Sequence, residues 1–229
     1  MMKGFGYVLA SAFALLAFAP VSAQFESIEG VEVDLIKSHT DGELAGYNTY
    51  RVYAVMENEG DMIMAVYGQD TIPLSITTDG EFFQHHRGGA FSKDVHRYDL
   101  RELTEVHPLL AYDSWLTIGY EDHYENGVGG LGLDLRDFEE STNVADSIYT
   151  TDGAWYVMPE NSLKQVNQQA VAGPSKRILL MQLTTNGNLK GFINVQGSTR
   201  IIEVKMEGEG TVHKLRNPIR STSLRFSAP

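Results

Sequence analysis

The side chains best suited to chemistry are carboxylates that cluster between residues 113 and 137. Ca²⁺ binds about six to eight oxygen ligands, which carboxylates and the backbone carbonyls of glycine-rich loops supply, so this segment predicts a calcium site. Its spacing matches neither an EF-hand nor a nonapeptide repeat, and a plain acidic surface is the favoured alternative. The candidate metal ligands are Asp113, Glu121, Asp122 and Asp134.

The same segment is the candidate site of a secreted hydrolase or carbohydrate-binding protein. A glycosidase needs two carboxylates that face each other across a cleft, roughly 5 to 10 Å apart. The chain has 30 acidic residues, so some pair can always be named and composition does not discriminate. The Gly-x-Gly-x-x-Gly pattern at 127–132 lacks a βαβ context, and there is no Gly-x-Ser-x-Gly motif. We therefore assign no catalytic residue.

The seven histidines are a second source of metal ligands. His85 and His86 are adjacent, so in a strand their rings project from opposite faces and cannot bind one ion. His107 and the others lie apart in sequence, His39 lies in a polar turn, and none belongs to a His-x-x-x-His helix. We expect solvated loop histidines rather than a zinc site.

Aromatic rings are a third candidate, because β-sandwiches outside the cell stack sugars on exposed tryptophan or tyrosine rings. Tyr112 and Trp115 flank Asp113, and Trp155 closely follows an Asp-Gly turn. These three are the candidate ligand-binding residues. Packing of both tryptophans in the core is the favoured alternative.

Strands must position these residues, since short β-branched and aromatic runs alternate with turn signals. Three turns share one signature, in which threonines precede Asp79-Gly80, Asp152-Gly153 and Asn186-Gly187. Such pairs tolerate the positive φ that two-residue hairpins require. They predict hairpins that pair 74–78 with 81–85, 148–151 with 154–158, and 178–185 with 189–196.

Alternation of apolar and polar residues predicts two further strand pairs. The runs at 49–57 and 62–67 are apolar on both faces, which indicates a central antiparallel pair. The tail alternates cleanly and predicts an edge hairpin of 202–206 with 212–215.

Helix signals are few, at 98–104 and 161–172. We expect an all-β fold, an antiparallel β-sandwich built from hairpins, with at most one or two short helices. The prediction is a single domain over 24–229, in which 197–229 forms an edge hairpin and tail.

The N-terminus indicates export. Lys3 precedes an apolar run at 4–18, and small residues at 21–23 predict signal-peptide cleavage before Gln24, with a retained anchor as the alternative. No later segment approaches the roughly 20 apolar residues that span a bilayer, so we predict no membrane span. The mature protein is expected to be secreted, periplasmic or at the cell surface.

Composition excludes several functions. The net charge of −12 argues against binding nucleic acid or anionic lipid, because both require a basic surface. The chain has no cysteine, which excludes thiol catalysis and cysteine-based zinc sites and leaves core packing to stabilise the fold.

Several short motifs in a consistent order resemble a β-rich module of secreted, surface-associated proteins of marine and environmental bacteria. The resemblance covers about 46–196 and implies export and a role outside the cytoplasm, but no particular activity. The motifs are YNTYRVYA at 47–54, AVYG at 65–68, PLSITT at 73–78, DSWLTIG at 113–119 and MQLTTNG at 181–187.

These features favour a secreted, non-enzymatic binding or structural component of the bacterial envelope or extracellular matrix. Its partner would be a glycan, a protein surface or further copies of itself, with Ca²⁺ as the one candidate ion. The alternative is a secreted hydrolase or carbohydrate-binding protein that uses the acidic, glycine-rich loop 113–137.

Overall fold

A computed structural model describes residues 28–95, 106–140, 147–160, 167–205 and 212–229. The predicted signal peptide at 1–23, the helix signal at 98–104 and the first part of the signal at 161–172 lie outside these residues. The strands are β1 (Ile28–Ser38), β2 (Asn48–Met56), β3 (Met62–Thr78), β4 (Trp115–Leu116), β5 (Gly129–Leu131), β6 (Ser147–Tyr156), β7 (Arg177–Thr185), β8 (Leu189–Ser198), β9 (Ile202–Lys205), β10 (Val212–Leu215) and β11 (Pro218–Ala228).

Two antiparallel sheets form a sandwich, which confirms the predicted all-β class. One sheet has four strands in the order β1-β2-β7-β4, and the other has five in the order β11-β8-β3-β6-β5. The described helical elements are the short helix α1 (Arg136–Glu139) and single 3-10 turns at Ser92–Asp94, Pro108–Tyr112 and Gln168–Ala170. Within the described ranges, no helix has the length and apolarity needed to cross a bilayer.

The main core fills the space between the sheets. Val52 of β2 and Leu180 of β7 contribute from one side, and Val66 of β3 and Ile193 of β8 from the other, each fully buried. This packing follows from the alternation of the strands, which directs every second side chain inward.

A smaller core covers the outer face of the four-stranded sheet. Leu179 of β7 packs there against Val95, Leu110 and Trp115. Residues 178–185 are buried on both faces as a result, which explains why the first four of them are continuously apolar in sequence. The segment that covers β7 also carries part of the candidate site.

The predicted strand pairs are mostly wrong, although most of the predicted segments, with the exception of 81–85, lie in strands. β2 pairs with β1 and β7, whereas β3 pairs with β6 and β8, so the runs at 49–57 and 62–67 belong to different sheets. Likewise β7 and β8 lie in different sheets. The short connections after β2 and β7 therefore cross between the sheets instead of closing hairpins.

The shared Thr-Asx-Gly signature has a local physical meaning that does not require a hairpin. In two of the three turns the threonine hydroxyl accepts the glycine N–H two residues on, from Gly80 to Thr78 at 3.2 Å and from Gly187 to Thr185 at 3.1 Å. Such a turn redirects the chain wherever it occurs. The two turns lie against each other, since the hydroxyls of Thr78 and Thr185 are 2.7 Å apart.

The third signature lies inside a strand. Asp152 and Gly153 are part of β6 and pair with Gln69 and Gly68 of β3. The Asp152 N–H still donates to Thr150 Oγ1, at 3.1 Å. The register shifts between Gln69 and Leu74 of β3, so this turn signal marks a β-bulge, where the chain bends without reversing.

The strand pairing predicted near the C-terminus is correct. β9 and β10 pair antiparallel as a separate two-stranded sheet, which confirms the predicted tail hairpin. β11 then pairs with β8 and forms an edge of the five-stranded sheet.

Candidate functional site

The candidate site lies where residues 81–89 leave β3 and pass the end of β7. Phe83 N–H donates to the carbonyl of Thr184 (2.8 Å), and Ser114 N–H donates to the carbonyl of Phe83 (3.2 Å). Residues 81–85 were predicted to pair with 74–78, but they add instead to β7 in the opposite sheet. This change of partner brings them beside the segment around residue 114.

The second segment of the site, 107–114, is hydrogen-bonded to β7 by one buried side chain. Gln182 Nε2 donates to the carbonyl oxygens of Ala111, at 3.1 Å, and Asp113, at 2.9 Å. The 3-10 turn Pro108–Tyr112 begins directly after His107. β7 is therefore the common support for residues 85–86 and for His107.

Three imidazoles meet at this point. We refer to His85, His86 and His107 as the histidine corner. The rings of His85 and His86 stack with centroids 4.5 Å apart, and His107 packs edge-on against them at 5.6 and 5.5 Å. One ring nitrogen of each histidine lies within 4.8 Å of the other two. It is the one such group of potential metal ligands among the described residues.

The expectation that the rings of His85 and His86 project from opposite faces is therefore wrong. It assumed a strand, but Gly88 N–H donates to the carbonyl of His85 at 2.7 Å, so these residues form a turn. In a turn, adjacent side chains can project to the same side. The glycine pair at 88–89 was the sequence signal that this segment is not a regular strand.

The surroundings of His85 favour its neutral form. Burial lowers the pKa of His85, and the neighbouring His86, His107 and Arg87 lower it further, against an opposing effect of Glu43. His85 Nδ1 also accepts the Arg87 N–H at 3.2 Å. A neutral imidazole retains the lone pair with which histidine binds metals.

Asp113 holds the turn at 85–88 in place through a backbone hydrogen bond. It is fully buried, and its Oδ1 accepts the His85 N–H at 2.6 Å. Burial raises the pKa of Asp113 to about 7; the His85 N–H opposes this rise, and the nearby Glu139 carboxylate adds to it. A carboxyl group that is buried and chemically perturbed is typical of functional sites.

Gly88 is required by this arrangement. A Cβ at residue 88 would lie 1.7 Å from Asp113 Oδ2, so the backbone approaches the carboxylate more closely than any side chain permits. The geometry of the histidine corner thus depends on two residues outside the three imidazoles, Asp113 and Gly88.

The other predicted calcium ligands do not join Asp113. Both Glu121 oxygens accept from Arg51, at 2.9 and 2.8 Å. Asp134 is paired with Arg136, which holds the pKa of Asp134 at about 2. Asp122 Oδ1 accepts the Tyr124 N–H at 2.9 Å. These four carboxylates form no cluster close enough to share one ion.

The acidic segment does form a shallow concavity of about 540 Å³. Its lining includes Tyr120, Glu121, Asp122, Tyr124 and Glu125. Tyr124 is 54% exposed, so this concavity combines an accessible aromatic ring with carboxylates. We refer to it as the acidic concavity.

Of the three aromatic residues predicted to bind a ligand, both tryptophans are buried. Trp155 is fully buried, with its Nε1 donating to the Thr117 carbonyl at 2.9 Å. Trp115 belongs to the smaller core. Both tryptophans therefore pack in the interior, the alternative that the sequence favoured. Tyr112 is half-buried and lies edge-on to His39, with the Lys37 ammonium 2.9 Å from its hydroxyl.

The comparisons with known proteins give no relative. No protein-family model, curated protein or solved structure matches this chain. Its function must therefore be inferred from the residues themselves.

Proposed function

We propose that this chain is a non-enzymatic binding component that works outside the cytoplasm, in the bacterial envelope or beyond, and that it binds through the histidine corner. The observation that carries this proposal is the convergence of three imidazoles from two chain segments. One of them, His86, is exposed, and the other two are half-buried. Side chains that must meet a ligand are expected to be this accessible.

Binding is favoured over catalysis because the predicted chemical groups have other roles. Hydrolysis of a glycan at the acidic segment would need two carboxylates that face each other across a cleft. Both tryptophans are buried, while Glu121 and Asp134 are held in ion pairs with arginines. The histidine corner has neither a hydroxyl nucleophile nor an acid among its members.

Export is the first part of the proposal to test. The full chain, expressed in a bacterial host, should appear outside the cytoplasm with Gln24 as its first residue. Cell fractionation and N-terminal sequencing measure both. An unprocessed chain that stays in the cytoplasm would refute the proposed location.

The binding site is tested by NMR mapping on isotope-labelled protein. Divalent cations and soluble oligosaccharides are added separately, and amide shifts are followed. We expect the largest changes at His85, His86 and His107. Changes confined to 119–125 would exclude the histidine corner as the main site and favour the second candidate.

That second candidate is carbohydrate binding at the acidic concavity. It is supported by the exposed Tyr124 ring, because sugars stack on such rings while carboxylates bond their hydroxyls. Tyr124→Ala should abolish oligosaccharide binding, measured by calorimetry. Tyr149 is a matched control, since it is 57% exposed and lies on β6, away from the concavity. Equal losses in both variants would exclude a specific site.

A further inference from the structure

We propose that the histidine corner binds one divalent transition-metal ion, with His85, His86 and His107 each supplying a ring nitrogen. This inference rests on the proposed binding function and names the ligand class of the same site. It is independent of the glycan candidate at the acidic concavity, which concerns other residues.

The donor set determines the class of metal. Imidazole nitrogens suit Zn²⁺, Cu²⁺ and Ni²⁺, whereas Ca²⁺ prefers carboxylate and carbonyl oxygens. The three ligands here are all imidazoles. A site of this composition should therefore discriminate strongly against Ca²⁺, although the chain as a whole is acidic.

The distances require only side-chain movement. Nitrogens that bind one tetrahedral Zn²⁺ at about 2.0–2.1 Å lie about 3.4 Å from each other. The three ring nitrogens now lie within 4.8 Å of one another, so closure requires shifts of about an ångström. His86, the exposed member, has the most room to adjust.

His85 is the ligand with a competing bond. Its Nδ1 accepts the Arg87 N–H at 3.2 Å, and that bond places the proton of the neutral ring on Nε2. Binding through Nε2 thus requires the other tautomer and the loss of this bond. The net contribution of such a hydrogen bond to stability is small, so the exchange does not prevent metal binding.

The backbone around the ligands is held in place before any ion binds. Gln84 Nε2 donates to the carbonyl of Phe138 at 2.9 Å, and the His85 N–H is bound by the buried Asp113 carboxylate. The segment is thus fixed on the N-terminal side of both histidines and at His85 itself. Preorganisation of this kind reduces the entropy lost on binding.

The test is calorimetric titration of protein purified without a polyhistidine tag. ZnCl₂, NiCl₂ and CuSO₄ are titrated into the wild-type protein, His86→Ala and His107→Ala, with CaCl₂ as the comparison ion. We expect one transition-metal ion per chain. Each variant should bind more weakly by at least roughly tenfold, since even loss of an outer-shell partner costs about that much.

Two controls separate loss of the site from loss of the fold. His123→Ala removes a histidine outside the corner and should bind metal like the wild type. His86 is exposed, so His86→Ala should melt at the wild-type temperature in the absence of metal. Added Zn²⁺ should then raise the melting temperature of the wild type but not of His86→Ala.

Three results would overturn the inference: no saturable binding of any transition metal, equal affinity in wild type and both corner variants, or equal affinity for Ca²⁺. If metals fail but another ligand perturbs the same residues in the NMR mapping, the binding function stands and only the metal is wrong. If neither binds, both proposals fail.

Discussion

Asn194 of β8 provides the sharpest test of how this fold is held together. Its side chain is fully buried, and its Nδ2 donates to the carbonyls of Tyr67 (2.9 Å) and Ile72 (2.8 Å) in the bulged region of β3. On the other side, its Oδ1 accepts the N–H of Ser223 (3.0 Å). Ser223 has φ of 62° and lies where the β11 register shifts. One amide thus fixes irregular backbone in both neighbouring strands.

Replacing Asn194 with leucine keeps the number and branching of the side-chain heavy atoms and removes all three bonds. Leaving the buried Tyr67 carbonyl without a donor then costs about 1–3 kcal/mol of stability. Loss of the bonds to the two part-buried partners, the Ile72 carbonyl and the Ser223 N–H, costs about 0.5–1.5 kcal/mol each. The expected loss of unfolding free energy is therefore about 2–6 kcal/mol, a large part of the roughly 5–15 kcal/mol of a typical domain. Asn194→Asp should be worse at neutral pH, because a carboxylate oxygen would face two carbonyl oxygens.

Urea unfolding followed by the fluorescence of the two buried tryptophans measures this loss. Gln196→Leu, on the same strand but exposed, is the control and should change stability by no more than about 0.5 kcal/mol. A loss below about 1 kcal/mol for Asn194→Leu, with an unchanged denaturant slope, would show that the three bonds do not stabilise the bulges.

Two further outcomes follow from single residues. Burial lowers the pKa of His39 below 6.5, with Lys37 adding to this and Asp41 opposing it, so the unfolded chain binds this proton more tightly and stability falls as the pH drops below about 6.5. Urea unfolding at several pH values measures this. Between pH 7 and pH 5, the free energy of unfolding should fall less for His39→Gln than for the wild type. At Gly191, an added Cβ would lie 2.0 Å from the Phe226 ring, so Gly191→Ala should lower stability by about 1–3 kcal/mol. Gly30→Ala, which meets nothing within 4 Å, should unfold like the wild type.

The fold class was predictable because it depends on local pattern. Alternation in the tail identified the β9–β10 hairpin, and apolar runs without long helical periodicity excluded a helical fold. Burial of Trp155 was favoured for the same reason, since large rings in a strand usually pack inward. These properties are set by a residue and its near neighbours in sequence.

Strand partners were not predictable, because the same local turn serves different long-range connections. Thr78 and Thr185 each bond a glycine N–H, yet both turns lead from one sheet to the other, and the equivalent signature at Thr150 lies within β6. What decides between these outcomes is which apolar face the following strand can cover. That choice depends on residues far away in sequence.

The histidine corner was missed for a related reason. Its members come together only because residues 81–85 add to β7 instead of folding back on β3, and because Gln182 holds the other segment beside them. An incorrect hairpin implied a strand through His86, and the strand implied opposed rings. The error in topology therefore became an error in the expected positions of the rings, since tertiary contacts bring the three histidines together and the sequence supplies only their identity.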